Sequence, residues 1–232
     1  AGFYPVYAAW NNGLRVTAVG GEDSISNLHA SKLVGSARTY IYTGERGLTM
    51  DAWFNGLRAG RAFVSTGPLV DVTVNGLIPG DEVQLPAGGD TVEIRVRVQS
   101  INPLETLRLV WNGDIIEEVP LDESRSNFSF TRSVPVTKSG WFHVRVAGNP
   151  RDRYPLDTGF AQAFTNPVWV IVGDQPVRSR PAANYGIRWI DKLHQMAKEW
   201  PGWRSQQERD HVFSQFDEAR KIYEGFAEET RQ

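Results

Sequence analysis

Between Leu69 and Val172 apolar side chains return at every second position: Val70/Val72/Val74, Val92/Ile94/Val96/Val98, Leu107/Leu109/Trp111, Phe128/Phe130, Phe142/Val144/Val146 and Val168/Val170/Val172. A strand points successive side chains to opposite faces, so each run has one face to bury, and no helix can use that spacing. Asn75-Gly76 and Asn112-Gly113 sit at the ends of such runs and suit the left-handed backbone of tight hairpin turns. So many short strands within about 100 residues predict an immunoglobulin-like antiparallel β-sandwich over residues 67–173. Its expected core includes Ile94, Val96, Leu109, Trp111, Val144, Val146 and Val170. A one-residue slip would exchange the faces of any of these strands. In the last run Trp169 and Ile171 stand between the valines, so that strand has two apolar faces.

The flanks read differently. Tyr4 to Asn12 predicts a short helix closed by Gly13, and Leu14 to Val19 predicts a strand ending at Gly20-Gly21. A polar loop through Glu22, Asp23, Ser24, Ser26, Asn27 and His29 leads to a second strand at Arg38 to Tyr42. Thr49 caps a helix running to Gly60 with Trp53, Phe54 and Leu57 on its inner face, and Ala62 to Ser65 returns as a strand. Residues 1–66 therefore carry α/β layering. Residues 174–232 predict a linker, Asp174 to Ala183, and two helices. The first is capped by Asn184 and carries Ile187, Ile190, Leu193 and Ala197. The second starts at a capping box of Ser205 and Glu208. Its stripe of Val212, Phe216, Ala219, Tyr223 and Phe226 must dock on the preceding helix, on the 1–66 segment or on a second copy of the chain. The fold class is thus α+β, mainly β.

Composition narrows the chemistry. The 25 Lys and Arg nearly balance 27 Asp and Glu, and no basic run supplies a footprint for phosphate backbones, which disfavours nucleic acid. The longest uncharged apolar stretch, Thr158 to Gly173, is broken by Asn166-Pro167, so no membrane insertion is expected and the chain reads as soluble. The start at Ala1, with neither Met nor a charged and then apolar leader, is expected of a fragment or of an exported chain whose signal peptide has been removed. Cysteine is absent, so a metal must be held by His and carboxylates, and there are only four His. Glu22, Asp23 and His29 form the one local cluster of such residues, on a loop beyond a strand. The plainer reading of that loop is hydrogen bonding by Asp23 and Ser24. His143, His194 and His211 read as surface or partly buried residues. No G-x-S-x-G, phosphate loop or G-x-G-x-x-G is present. Trp111, Trp141, Tyr154 and Trp169 would stack on sugars if they lined a groove, although Trp111 shares the core phase of Leu107 and Leu109.

Several stretches together resemble the C-terminal half of CehA/McbA-like metallohydrolases of the polymerase-and-histidinol-phosphatase (PHP) superfamily. They are Gly13-Leu14-Arg15-Val16 with Gly20-Gly21-Glu22-Asp23-Ser24, then Arg38-Thr39-Tyr40, then Ala59 through Pro68, and Val74-Asn75-Gly76 with Pro79-Gly80-Asp81. Thr165-Asn166-Pro167-Val168-Trp169-Val170 and Arg188-Trp189-Ile190-Asp191 complete the set. The resemblance implies that residues 1–66 are the remnant of a PHP-type β/α barrel. It also implies divalent metal, zinc or manganese, in the intact parent, and hydrolysis of ester, carbamate or phosphoester bonds by a metal-activated water. Asp23 is carried over as a metal residue. The family's closing Asp-x-His would put His at position 25, where Ile25 stands, so His29 would have to substitute. The H-x-H pair and the intermediate ligands have no counterpart here, and a full barrel needs about 200 residues. The expectation is a fragment, itself inactive, that braces a barrel and shapes substrate access, with the missing N-terminal barrel portion or a second copy as partner. The alternative is a non-catalytic β-sandwich binding module for a glycan or a protein.

Overall fold

The computed structural model describes residues 4–21, 34–121, 123, 125–149 and 160–230. The chain divides into two compact units, Arg15–Gln175 and the residues through Leu14 together with those from Pro176 onward. Its elements are α1 (Tyr4–Asn11), β1 (Arg38–Ile41), α2 (Met50–Arg58), β2 (Ala62–Ser65), β3 (Leu69–Val74), β4 (Glu82–Leu85), β5 (Asp90–Gln99), β6 (Leu104–Trp111), β7 (Asp114–Glu118), β8 (Asn127–Val136), β9 (Gly140–Gly148), β10 (Gln162–Thr165), β11 (Val168–Val172), α3 (Arg180–Glu199) and α4 (Gln206–Glu229). The fold is mainly β, with antiparallel sheets and a C-terminal helical pair.

The larger unit is a two-sheet sandwich. One sheet runs β3-β5-β8; the other runs β1-β2-β10-β9-β11-β4, with β6 on the far edge of β9 and β7 on β6. Pairing is antiparallel except between β4 and β11, which run parallel. The alternating runs bury the expected phase. Val70, Val72, Ile94 and Val96 from the smaller sheet form one cluster with Leu109, Phe142, Val144, Val146 and Val170 from the larger. Trp111 packs against that cluster, its ring 4.3 Å from Phe142. Two faces this apolar have little choice but to close on each other, since each buried methylene contributes about 0.8 kcal/mol. Asn75 and Asn112 both take positive φ, followed by Gly76 and Gly113, as the two hairpin signals require.

Strand β9 organises the larger sheet. One edge pairs with β6 from Trp111↔Phe142 to Leu104↔Gly148. The other edge is shared: β10 pairs with residues 145–147 and β11 with residues 140–142. β10 and β11 are therefore two lengths of one edge, interrupted by Asn166-Pro167. Proline has no N–H to give the ladder, and the interruption frees the backbone there for other partners.

Three local expectations need correcting. Leu14–Val19 joins no strand; it is held by side chains, as described below. Helix α2 is capped by Thr49 as expected, its hydroxyl accepting from the Ala52 N–H at 3.1 Å. Its buried residues, however, are Ala52 and Gly56, whereas Phe54 is exposed. The helix lies too close to the end of β1 for anything larger: a Cβ on Gly56 would come within 2.6 Å of Ile41 and of the Tyr42 carbonyl. Finally, α3 begins at Arg180 with Ser179 at its N-cap, so Asn184 is interior to the helix. Pro181 lies in the first turn, where a missing N–H costs nothing, and that is why a proline read as linker opens a helix.

In the smaller unit α4 packs along α3, the first of the three surfaces expected for it. His194 meets Phe213 edge-on at 4.7 Å, Arg220 pairs with Asp191 at 2.9 Å, and Tyr223 lies over Gly186. Ser205 Oγ accepts from the Glu208 N–H, and the Glu208 carboxylate reaches back to the Arg204 N–H, one residue beyond the usual box partner. No residue of α4 is fully buried. Phe216→Ala should therefore cost only about 1 to 2 kcal/mol in urea unfolding, less than for an enclosed phenylalanine. A loss above about 3 kcal/mol would mean that this stripe is covered more completely. No helix among the described residues is long and apolar enough to cross a membrane.

Candidate functional site

The segment leading to Glu22-Asp23 belongs to no ladder; it is fixed at four points within the larger unit. Arg15 pairs with Glu82 and lies 4.7 Å over the Trp169 ring. Thr17 Oγ1 donates to the Leu57 carbonyl at 2.7 Å. Ala18 donates its N–H to Asn166 Oδ1 at 2.7 Å, and Asn166 Nδ2 donates to the carbonyls of Ala18 and Ala62, each at 3.0 Å. Gly20 donates to Thr39 Oγ1 at 2.9 Å, and that hydroxyl donates to the Gly20 carbonyl at 3.1 Å.

Asn166 is the centre of this arrangement. It is fully buried at the break between β10 and β11, and its amide acts as a peptide group would, accepting from and donating to a single residue of the segment. One side chain thus performs a strand's pairing at one position, and the two carbonyls it serves are themselves satisfied. The sequence signal was the Asn-Pro pair inside an apolar run. It marked the break but not the side chain's reach across 148 residues of chain.

A cavity of about 170 Å³ lies at the same place, bordered by Arg15, Thr17, Arg58, Gly60, Gly80, Asn166 and Trp169. Gly80 is required there: its φ is +89°, and a Cβ would fall 2.1 Å from the Ala59 carbonyl oxygen. Its N–H donates to the Pro167 carbonyl at 2.8 Å, the Trp169 N–H to Asp81 at 3.0 Å, and Arg61 pairs with Asp81. Stretches around residues 15–20, 59–62, 79–81 and 165–169, remote in sequence, are thereby joined.

Glu22, Asp23 and His29 lie outside the described residues, as does Tyr154. Among the described residues no group of three or more His, Asp and Glu converges as metal ligation requires. His143 is fully buried, which corrects the reading of it as a surface or partly buried residue; β9 is flanked on both edges, and the alternation alone did not show that. Burial, then the positive charge of Arg145, lower its pKa to about 3, against a smaller opposing contribution from a backbone hydrogen bond with Thr165. It is held neutral. His211 is exposed, and His194 packs against Phe213. Of the rings considered for sugar stacking, Trp141 and Trp169 are buried and Trp111 is half-buried on Phe142, so these three do not make an exposed platform.

No family model matches the chain, and no curated protein matches it. Among solved structures, a polysaccharide lyase aligns over 61% of this chain at 18% identity with a TM-score of 0.25. The chain spans about 16% of that lyase's length. A likeness that slight carries no argument about fold or activity.

Proposed function

We propose that this chain is the C-terminal part of a PHP-type metal-dependent hydrolase of ester, carbamate or phosphoester bonds, inactive by itself, with its sandwich bracing the metal-bearing portion and shaping substrate access. The observation behind this reading is the junction at Asn166. Residues from the stretches that carry the family resemblance, Arg15-Val16, Ala59-Gly60, Gly80 and Asn166-Pro167, border one cavity, and Asn166 ties down the segment that runs into Glu22-Asp23. A sandwich whose interrupted strand grips that segment suits a brace better than a free-standing module. Asp23, with His29, would contribute to a divalent metal, zinc or manganese, together with ligands from a missing N-terminal barrel portion. When bound, such a metal supplies an activated water.

Two measurements test this. The 232-residue chain alone should give no efficient turnover of a phosphoester and carbamate panel with added zinc or manganese, since a catalytic site needs several ligands and an open water position. Joined to an upstream α/β segment that carries an H-x-H pair, it should gain metal-dependent hydrolysis, and Asp23→Ala should reduce that rate by about 100-fold or more. Turnover by the chain alone that Asp23→Ala abolishes would overturn the inactive-fragment part. Activity of the joined protein that is indifferent to Asp23→Ala would overturn the assignment of Asp23.

A further inference from the structure

One face of α3 carries large apolar side chains that nothing among the described residues covers. Trp189, Leu193, Met196 and Trp200 at the C-cap are 49%, 38%, 58% and 61% exposed. At about 100° of turn per residue the four fall within about 60° of one another around the helix, so they form a single stripe. Helix α4 packs on the neighbouring face, through Gly186 and His194. Helix α1 lies against only the start of the stripe, its Ala8 and Ala9 bordering the same space as Ala182, Tyr185 and Trp189. The open length, from Trp189 to Trp200, is roughly 16 Å. Exposed apolar residues scattered singly need no explanation, but a contiguous stripe marks a surface that meets something.

The charges beside the stripe select its partner. Arg188, Lys192 and Glu199 lie along the flank away from α4, the two cations in the N-terminal part and the carboxylate at the C-terminal end. Arg188 and Lys192 are four positions apart, where like charges on a helix repel, and among the described residues neither has an acidic partner. Glu199 accepts there only from Gln195 Nε2, at 3.4 Å. A second α3 laid antiparallel on this face, about a two-fold axis between His194 and Gln195, sets Trp189 against Trp200 of the second copy and Leu193 against its Met196. The same operation keeps like flanks together and brings each Glu199 level with the gap between Arg188 and Lys192 of the other copy, about 3 Å along the axis from either. The second copy's helix also ends opposite Trp189, where α1 takes over the face, so the two do not compete. An apolar seam with complementary charges beside it is the arrangement by which helices choose a partner and an orientation.

We propose that this face of α3 is a self-association surface: two copies of the chain pair antiparallel through Trp189, Leu193, Met196 and Trp200, with Glu199 of each copy set between Arg188 and Lys192 of the other. The contact is independent of the junction at Asn166 and of any metal.

The test is sedimentation velocity of the full chain. The stripe makes a small interface, so wild type should be mostly dimeric at about 100 μM and mostly monomeric at about 1 μM, with a Kd on the order of 10 μM. Met196→Glu should raise that Kd about tenfold or more while leaving thermal unfolding within a few degrees, since the residue is exposed. Glu199→Lys alone sets cation against cation, and Arg188→Glu with Lys192→Glu sets acid against acid, so each of these two proteins should self-associate about tenfold more weakly than wild type. Mixed one to one they should associate with each other as tightly as wild type does with itself, because every flank then meets the opposite charge. A wild-type monomer at about 100 μM, association untouched by Met196→Glu, or a mixture no tighter than its two components would each overturn the proposal. Should Met196→Glu fail to fold, the mixing experiment still decides it.

Discussion

Asn166→Ala should lower the unfolding free energy of the larger unit by roughly 3 to 5 kcal/mol, because it removes three buried hydrogen bonds at once. The Ala18 N–H and the carbonyls of Ala18 and Ala62 lose their side-chain partner. The Ala62 carbonyl keeps the Asn166 N–H at 2.9 Å, so the larger part of the loss falls on Ala18. The adjoining cavity of about 170 Å³ admits water to part of the vacated site, which sets the lower end of the range. Asn166→Asp separates geometry from chemistry. It preserves size and can still accept from Ala18, but it turns a carboxylate toward two carbonyl oxygens, so at neutral pH it should be no better than alanine. Amide exchange locates the effect. In either variant residues 15–20 should lose protection well before β5 and β9, whose ladders do not involve Asn166. A loss below about 1 kcal/mol, or exchange that rises evenly across the sheet, would show that the segment is held by its other anchors.

How this junction forms also explains what the sequence revealed and what it did not. The phases of β3, β5, β6, β9 and β11 were legible because each run has one apolar face and the opposite sheet offers the place to bury it. Leu14–Val19 has the same look, with Leu14, Val16 and Ala18 alternating. The strand inferred from that pattern does not form, and the partners there are the side chains of Thr39 and Asn166. Contacts over such separations leave no local pattern. The same limit applies to α2, where periodicity favoured the large residues Trp53, Phe54 and Leu57, but the close approach of Ile41 selected Ala52 and Gly56. At the candidate site, the stretches bordering the cavity could be recognised one by one, whereas their meeting at Asn166 could not. Asp23 and His29 rest on the sequence alone.

Taking the protein from pH 7 to pH 5 should destabilise it by about 2 kcal/mol through His143 alone. In the unfolded chain this imidazole protonates with an ordinary pKa near 6.5, whereas in the fold burial, followed by the charge of Arg145, lowers the value to about 3. On the sheet, Val110 stands opposite in β6, and the Trp141 ring lies 5.7 Å away. Between those two pKa values the unfolded state takes up a proton that the native state refuses, so stability falls as pH falls, by about 1.4 kcal/mol per pH unit. The contribution is fully present above about 6.5 and is exhausted near 3. Carboxylates with ordinary pKa values titrate mostly below pH 5, so the window from 7 to 5 isolates histidine. His143→Phe keeps a ring of similar size and has no proton to gain. Its unfolding free energy in urea should therefore be flatter over that window than that of wild type, by about 2 kcal/mol across the span. The histidine Cε1 resonance supplies an independent reading, and that of His143 should not titrate above pH 4. Parallel pH profiles for the two proteins, or a midpoint near 6.5 for that resonance, would show that the imidazole reaches water in the native state.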